Sequence, residues 1–234
     1  GQSNGENTLS SFLWVRYGWE FSNIVSLFEV NGTVSVTDKR TGIQCGVVSP
    51  SQASYMAILI NSQEKACAQV AIVGEKMDGD YPGMPAFHSF ASGEVVLRGY
   101  FYSPYITVGT TTIYAQGSNG GCALSIFDSS GALSRTSSCG DSRGRLNTAQ
   151  SFFLINNHNI AYLIDTCSKS FSFLGASVLC DEVASCDFPS NNTRIYVIAA
   201  FYPTSVAFAS SFTTPGAPPT ITPSPSMSGD FVVT

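Results

Sequence analysis

EVVLRGYFYSPYITVGTTTIYAQ, residues 94–116, is the stretch whose reading decides the fold. Val95, Val96, Leu97, Tyr100, Phe101, Tyr102, Tyr105, Ile106, Val108, Ile113 and Tyr114 are β-branched, aromatic or large aliphatic. Such side chains fit a pleated, half-buried surface. Gly99, the Ser103-Pro104 pair and Gly109 punctuate the run, and the threonines at 110–112 separate two of its apolar groups. The stretch reads as short strands meeting at turns, central to a sheet. Its tyrosines are too many for a plain core, because each hydroxyl needs a partner or water. One face is therefore expected to be core, with Tyr100, Tyr102 or Tyr105 reaching a dimer interface or a receptor surface.

Upstream, residues 11–20 (SFLWVRYGWE) alternate loosely and read as a strand, with Trp14 and Trp19 as core or interface anchors. Residues 24–36 (IVSLFEVNGTVSV) read as strand, turn, strand. Their Asn31-Gly32 pair is a strong signal for a tight hairpin that would set Val25 and Leu27 across from Val34 and Val36. Residues 38–42 (DKRTG) form a polar turn, and 43–48, 55–61 and 66–74 read as strands. Residues 75–85 (EKMDGDYPGMP) read as an exposed loop with Glu75, Asp78 and Asp80 as solvated acids. The regular oxygen-ligand spacing of a calcium loop is absent there.

Downstream, residues 123–127 read as a strand after the SNGG turn at 118–121, and 129–146 read as a loop carrying Arg135, Arg143 and Arg145. Residues 151–155 and 160–164 flank Asn156-Asn157-His158-Asn159 as a second hairpin, and 171–179, 194–201 and 205–212 read as further strands. No long window carries a capped helical stripe. About a dozen short strands predict an all-β chain, a single barrel or sandwich-like domain of antiparallel strands with long loops. Residues 1–10 read as a flexible lead-in to a domain cut from a longer chain, 11–212 as the β-rich body, and 213–234 as a Pro-rich tail. That tail is expected to lie along the body or a partner, with Phe231-Val232-Val233 as an edge strand.

Charged residues are only 12% of the 234, so Ser, Thr, Gly and Asn must supply the polar surface. A net charge of -5 argues against a nucleic-acid backbone as partner and against a basic membrane-surface patch. No apolar run is long enough for a membrane-spanning helix, and membrane insertion is not expected. The seven cysteines are odd in number and form no C-x-x-C pair; with two histidines available, a zinc site is not expected. Two readings stay open: disulfides with one thiol left over, or reduced thiols throughout.

Catalytic signals are sparse. Gly140-Asp141-Ser142-Arg143-Gly144 resembles the nucleophile motif of chymotrypsin-like serine proteases, which would make Ser142 the nucleophile and His88 its base. Arg143 stands where that motif has a glycine, His88 lacks a base motif, and Asp128 lies too near Ser142 for two barrel halves. A polar turn with a capping Asp is the reading adopted, and neither an enzyme nor a cofactor is expected. His158 reads as a turn residue. The sixteen acids are scattered and offer no pair to name for glycoside hydrolysis, and Gly117 to Gly121 lacks the lysine and helix of a phosphate cradle. Asn31 and Asn191 match the glycosylation acceptor pattern, as chance would allow in a Ser/Thr-rich chain.

As a whole, a sparsely charged, Ser/Thr/Gly/Asn-rich all-β domain with a Pro-rich exit is similar to protruding domains of non-enveloped virus capsids. Its length and layout most resemble the astrovirus capsid spike, through LSSFLWVRYGWE at 9–20, GYFYSPYITVG at 99–109 and TTPGAPPTITPSPS at 213–226. That resemblance implies a homodimeric spike on the virion surface, made in the host cytoplasm and released from a precursor by proteolysis. It would bind a host cell-surface receptor, protein or glycan, and display epitopes for neutralising antibodies. The acidic segment that follows such spikes is expected further along a longer chain. The alternative is a secreted, extracellular adhesin or carbohydrate-binding module, with Trp14, Trp19 or Tyr102 stacking on sugars.

Overall fold

A computed structural model describes residues 9–16, 23–61, 66–76, 85–90, 92–117, 120–141, 152–155, 161–166, 170–179, 193–215, 221–223 and 231–233. In chain order the strands begin with β1 (Leu9–Arg16), β2 (Asn23–Val30), β3 (Val34–Thr37), β4 (Gln44–Val48), β5 (Ser54–Asn61), β6 (Ala66–Glu75) and β7 (Ala86–Ser89). They continue with β8 (Val95–Phe101), β9 (Tyr105–Val108), β10 (Thr111–Tyr114), β11 (Gly121–Phe127), β12 (Leu133–Asp141), β13 (Phe152–Ile155) and β14 (Ala161–Thr166). The last are β15 (Ser170–Phe173), β16 (Ala176–Leu179), β17 (Thr193–Phe201), β18 (Val206–Pro215), β19 (Ile221–Pro223) and β20 (Phe231–Val233). The chain is all-β: among the described residues there is no helix, and every strand pairing is antiparallel. A six-stranded sheet runs β16-β15-β12-β11-β8-β7, and two four-stranded sheets run β1-β2-β5-β6 and β13-β14-β17-β18. Among the described residues three ribbons, β3–β4, β9–β10 and β19–β20, complete the set, and no sheet closes into a barrel. The architecture is sandwich-like.

The opening stretch supplies β8, one strand in from the β7 edge of the six-stranded sheet rather than its centre, and the separate β9–β10 ribbon. Every residue of β8 and of its neighbour β11 is buried. Successive side chains of a strand point to opposite faces, so two fully buried neighbours must serve two cores. Val95, Leu97 and Phe101 join Ala123 and Phe127 on one face, packed on Val25, Leu27, Ala57, Leu59 and Val73 of the β1-β2-β5-β6 sheet. Val96 and Tyr100 join Leu124 and Ile126 on the other, against Phe90, Phe171, Phe173 and Phe201. Gly99 lies within β8 rather than at a turn, because the backbone of β6 passes directly over it: an added Cβ would sit 1.5 Å from Val73 O. Arg98 points into the second core at 2% exposure, with its guanidinium carbon 4.9 Å from the Tyr100 ring centroid and its Nε donating to Cys122 Sγ at 3.3 Å.

A third core lies on the outer face of the β1-β2-β5-β6 sheet. Val30, Met56 and Val70 gather there under Val34, Val36 and Val48 of the β3–β4 ribbon. This arrangement overturns the tight hairpin expected at Asn31-Gly32. Both edges of β2 are taken, by β1 and β5, so β3 cannot pair with it. Gly32 takes a positive φ of 83°, and β3 pairs instead with β4 across the 38–42 turn. In that turn Asp38 Oδ1 accepts from the Arg40 amide and Asp38 O from the Gly42 amide. The valines predicted to face β2 across a hairpin thus meet its sheet face-on.

Two other expectations are corrected. The segment at 129–146 contains a strand, β12, because the Ser and Thr hydroxyls that suggested a loop find partners in the ladder. Thr136 Oγ1 donates to Leu124 O and shares a hydrogen bond with Ser125 Oγ at 2.9 Å. Residues 171–179 hold a hairpin rather than one strand. Leu174 and Gly175 both take positive φ, 45° and 79°, as a two-residue turn between β15 and β16 demands. Leu174 is held in that costly conformation by burial in the second core and by Arg135, which donates to its carbonyl. Cys122 and Cys139, directly opposed on β11 and β12 with Cα atoms 4.9 Å apart, form a disulfide. Reduced thiols throughout is therefore not the state of this fold. Trp14 falls in β1, while Trp19, the loop at 77–84 and Cys167, Cys180 and Cys186 lie outside the described residues.

Candidate functional site

The β9–β10 ribbon follows directly from β8. Val108 and Thr111 close a two-residue turn at Gly109-Thr110, with Gly109 at a φ of 60°. A glycine first in the turn matches the twist of the two strands. Alternation then does the sorting. Ile106, Val108 and Ile113 point inward and join the first core, while Tyr105, Thr107, Thr112 and Tyr114 point out. The register sets Tyr105 opposite Tyr114 and Thr107 opposite Thr112. The two tyrosine rings lie 6.2 Å apart at 57°, and both are open to solvent, at 54% and 69% exposure. The outer face is thus an aromatic pair beside two hydroxyls, with no charge among the four residues.

The base of the ribbon is fastened by an acid. Glu75, at the end of β6, is only 4% exposed, and its Oε2 accepts from the amides of Tyr102 at 2.6 Å and Ser103 at 2.9 Å. The expectation of a solvated acid fails here because two amide donors at the β8–β9 bend have no ladder partner and take the carboxylate instead. The Ala115 amide donates to Pro104 O at 2.8 Å and ties the far strand to the same bend. The ribbon therefore presents its tyrosines from a fixed base.

Of the three candidate tyrosines, Tyr102 and Tyr105 are exposed, at 44% and 54%. Partial burial pushes the Tyr102 phenol above its ordinary value, so its hydroxyl stays neutral and available as donor and acceptor. Tyr100 is a correction: it is buried in the second core under Arg98 and reaches no surface of the chain. It faces the opposite side of β8 from Phe101, and both sides of that strand are covered. Tyr114 was not singled out by sequence, yet it stands as far after the Gly109-Thr110 turn as Tyr105 stands before it. That symmetry was the available signal.

The protease-like constellation falls only partly within the described residues. Gly140 and Asp141 belong to the β12 ladder opposite Ser172 and Phe171, and His88 lies in β7 opposite Val96. Asp128 Oδ1 is occupied by the Ser130 and Ala132 amides and the Ser130 hydroxyl, which cap the β11–β12 turn. Ser142 and His158 lie outside the described residues. Among the described residues no three His, Cys, Asp or Glu side chains gather to hold a metal, and no helix is long and apolar enough to cross a membrane.

Fold and site together describe a sandwich-like, multi-sheet β domain that offers an uncharged, tyrosine-bearing ribbon face. No family model, curated protein or solved structure matches the chain.

Proposed function

We propose that this chain is a non-catalytic attachment domain, the protruding part of a viral capsid protein, and that the outer face of the β9–β10 ribbon contacts its cell-surface receptor. The single observation that carries the contact face is the exposed Tyr105–Tyr114 pair on a ribbon anchored by Glu75. Tyr brings large contact area at low entropic cost, and a fixed base reduces the ordering lost on binding. The host receptor, protein or glycan, meets the face through ring stacking and the Thr107 and Thr112 hydroxyls. On the particle the domain is a homodimer and the same outward face is open to neutralising antibodies.

The test is binding of labelled domain to a panel of cells and to a glycan array. Tyr105→Ala with Tyr114→Ala is expected to weaken binding about tenfold or more, as loss of paired aromatic anchors does. The same variant is expected to shift unfolding free energy by about 1 kcal/mol or less, since both rings are exposed. Unchanged affinity sinks the proposed face. Absence of any binding by the wild-type domain, or a monomer by sedimentation, sinks the attachment reading.

A second reading rests on the Cys122–Cys139 disulfide, which is at home in an oxidising compartment. On it the chain is a secreted adhesin or carbohydrate-binding module using the same tyrosine face. Glycan-array binding together with three disulfides in the isolated protein would favour it.

A further inference from the structure

Cys45 and Cys67 are the two described cysteines outside the disulfide, and each sits at an irregularity of its strand. In β4 the partners step from Gly46 directly to Gln44, so Cys45 is the extra, bulged residue. In β6 they step from Gln69 to Cys67, leaving Ala68 as the extra residue beside it. A bulge breaks the alternation of a strand and re-aims its side chains. Here both thiols come to the same place: each packs against the third core, and Cys45 is a neighbour of Cys67 there. β4 lies close on β6 beside them, since a Cβ on Gly46 would stand 3.2 Å from the Val70 side chain. Among the described residues the β3–β4 ribbon has no ladder partner beyond itself, and side-chain packing attaches it to the sheet beneath.

We infer that Cys45 and Cys67 are a second cross-linking site, a thiol pair that a small disulfide such as oxidised glutathione converts into a covalent staple between the β3–β4 ribbon and the sheet. Burial and the neighbouring Cys45 thiol push the Cys67 thiol above its ordinary value, so Cys67 rests protonated. One thiol of the pair, as its thiolate, attacks one sulfur of the small disulfide, forming a mixed disulfide and releasing one glutathione thiolate. The other thiol then gives its proton to solvent and attacks the protein sulfur of that mixed disulfide, expelling the second glutathione. Two protein thiols are oxidised and one small disulfide is reduced to two thiols.

The whole purified protein, equilibrated in graded reduced and oxidised glutathione, alkylated and digested with trypsin, tests this directly. Cleavage after Arg40, Lys65 and Lys76 puts Cys45 and Cys67 on separate peptides, and cleavage after Arg135 separates Cys122 from Cys139. The expected result is a Cys45–Cys67 cross-linked peptide that grows with oxidation while Cys122–Cys139 stays paired, and an upward shift of the thermal midpoint in step with it. Cys67→Ser and Cys45→Ser should each abolish both the Cys45–Cys67 cross-linked peptide and the midpoint shift. The inference is overturned if both thiols remain alkylated across the series, or if either pairs with Cys167, Cys180 or Cys186 instead. Neither result bears on the ribbon face proposed for attachment.

Discussion

Gly99 has no room for a side chain. An added Cβ there would stand 1.5 Å from Val73 O, so Gly99→Ala must separate β6 from β8 and open the first core. A loss of at least about 3 kcal/mol is expected in urea unfolding, at the high end for overpacking. Gly42→Ala is the matched control, because Gly42 has positive φ but nothing within 4 Å, leaving only a left-handed strain of about 1 kcal/mol. Equal losses at the two sites would contradict the close approach. Asp128 gives a pH prediction at the same scale. Its burial opposes ionisation, but the Ser130 hydroxyl and the amides of Ala132, Ser130 and Gly131 outweigh it and hold the carboxyl below its ordinary value. Its stabilising effect is therefore complete above the unfolded carboxylate value of about 3.9 and lost as pH falls through the lower folded value. Asp128→Asn should flatten the acid end of the stability profile and leave its neutral shape unchanged; an unaltered acid slope counts against the cap.

β12 shows how an element escapes sequence reading. Its LSRTSSCGD composition is that of a loop, and only contacts with β11 and β15 make a strand of it. Thr136 and Ser125 satisfy each other across the ladder, and Cys122 and Cys139 join its two strands covalently. Cys122→Ala with Cys139→Ala is expected to cost about 3 kcal/mol, the usual scale for a staple closing a short loop, read from the urea midpoint. A double variant as stable as the parent would show that the ladder alone suffices. The β9–β10 ribbon depends in turn on Glu75. Glu75→Ala strands the Tyr102 and Ser103 amides, a cost of about 2 kcal/mol. Hydrogen exchange at those two amides should accelerate while exchange in β8 stays slow; unchanged protection at Tyr102 and Ser103 would dispose of the anchor.

Across the whole molecule, the described buried side chains gather in three cores, and each piece of the chain was legible to the degree that its information was local. Apolar alternation exposed most strands, and the 108–111 turn could be read from Gly109. The Asn31-Gly32 turn was equally clear as a local signal, yet it did not build its hairpin, because β1 and β5 already satisfied β2. Glu75 looked like a surface acid until two unpaired amides claimed it. Tyr100 and Tyr105 could not be told apart by composition. One is buried beneath Arg98 and the other stands in solvent because β8 is covered on both faces while the β9–β10 ribbon is covered on one. By itself the sequence determined the all-β class, the approximate strand positions and the sparsely charged surface. These follow from residue type and a two-residue period, which any short segment displays. Only the tertiary structure decided which strands pair, which tyrosines face outward and which cysteines meet. Those outcomes depend on competition among distant segments for the same hydrogen-bonding edges and the same buried volume.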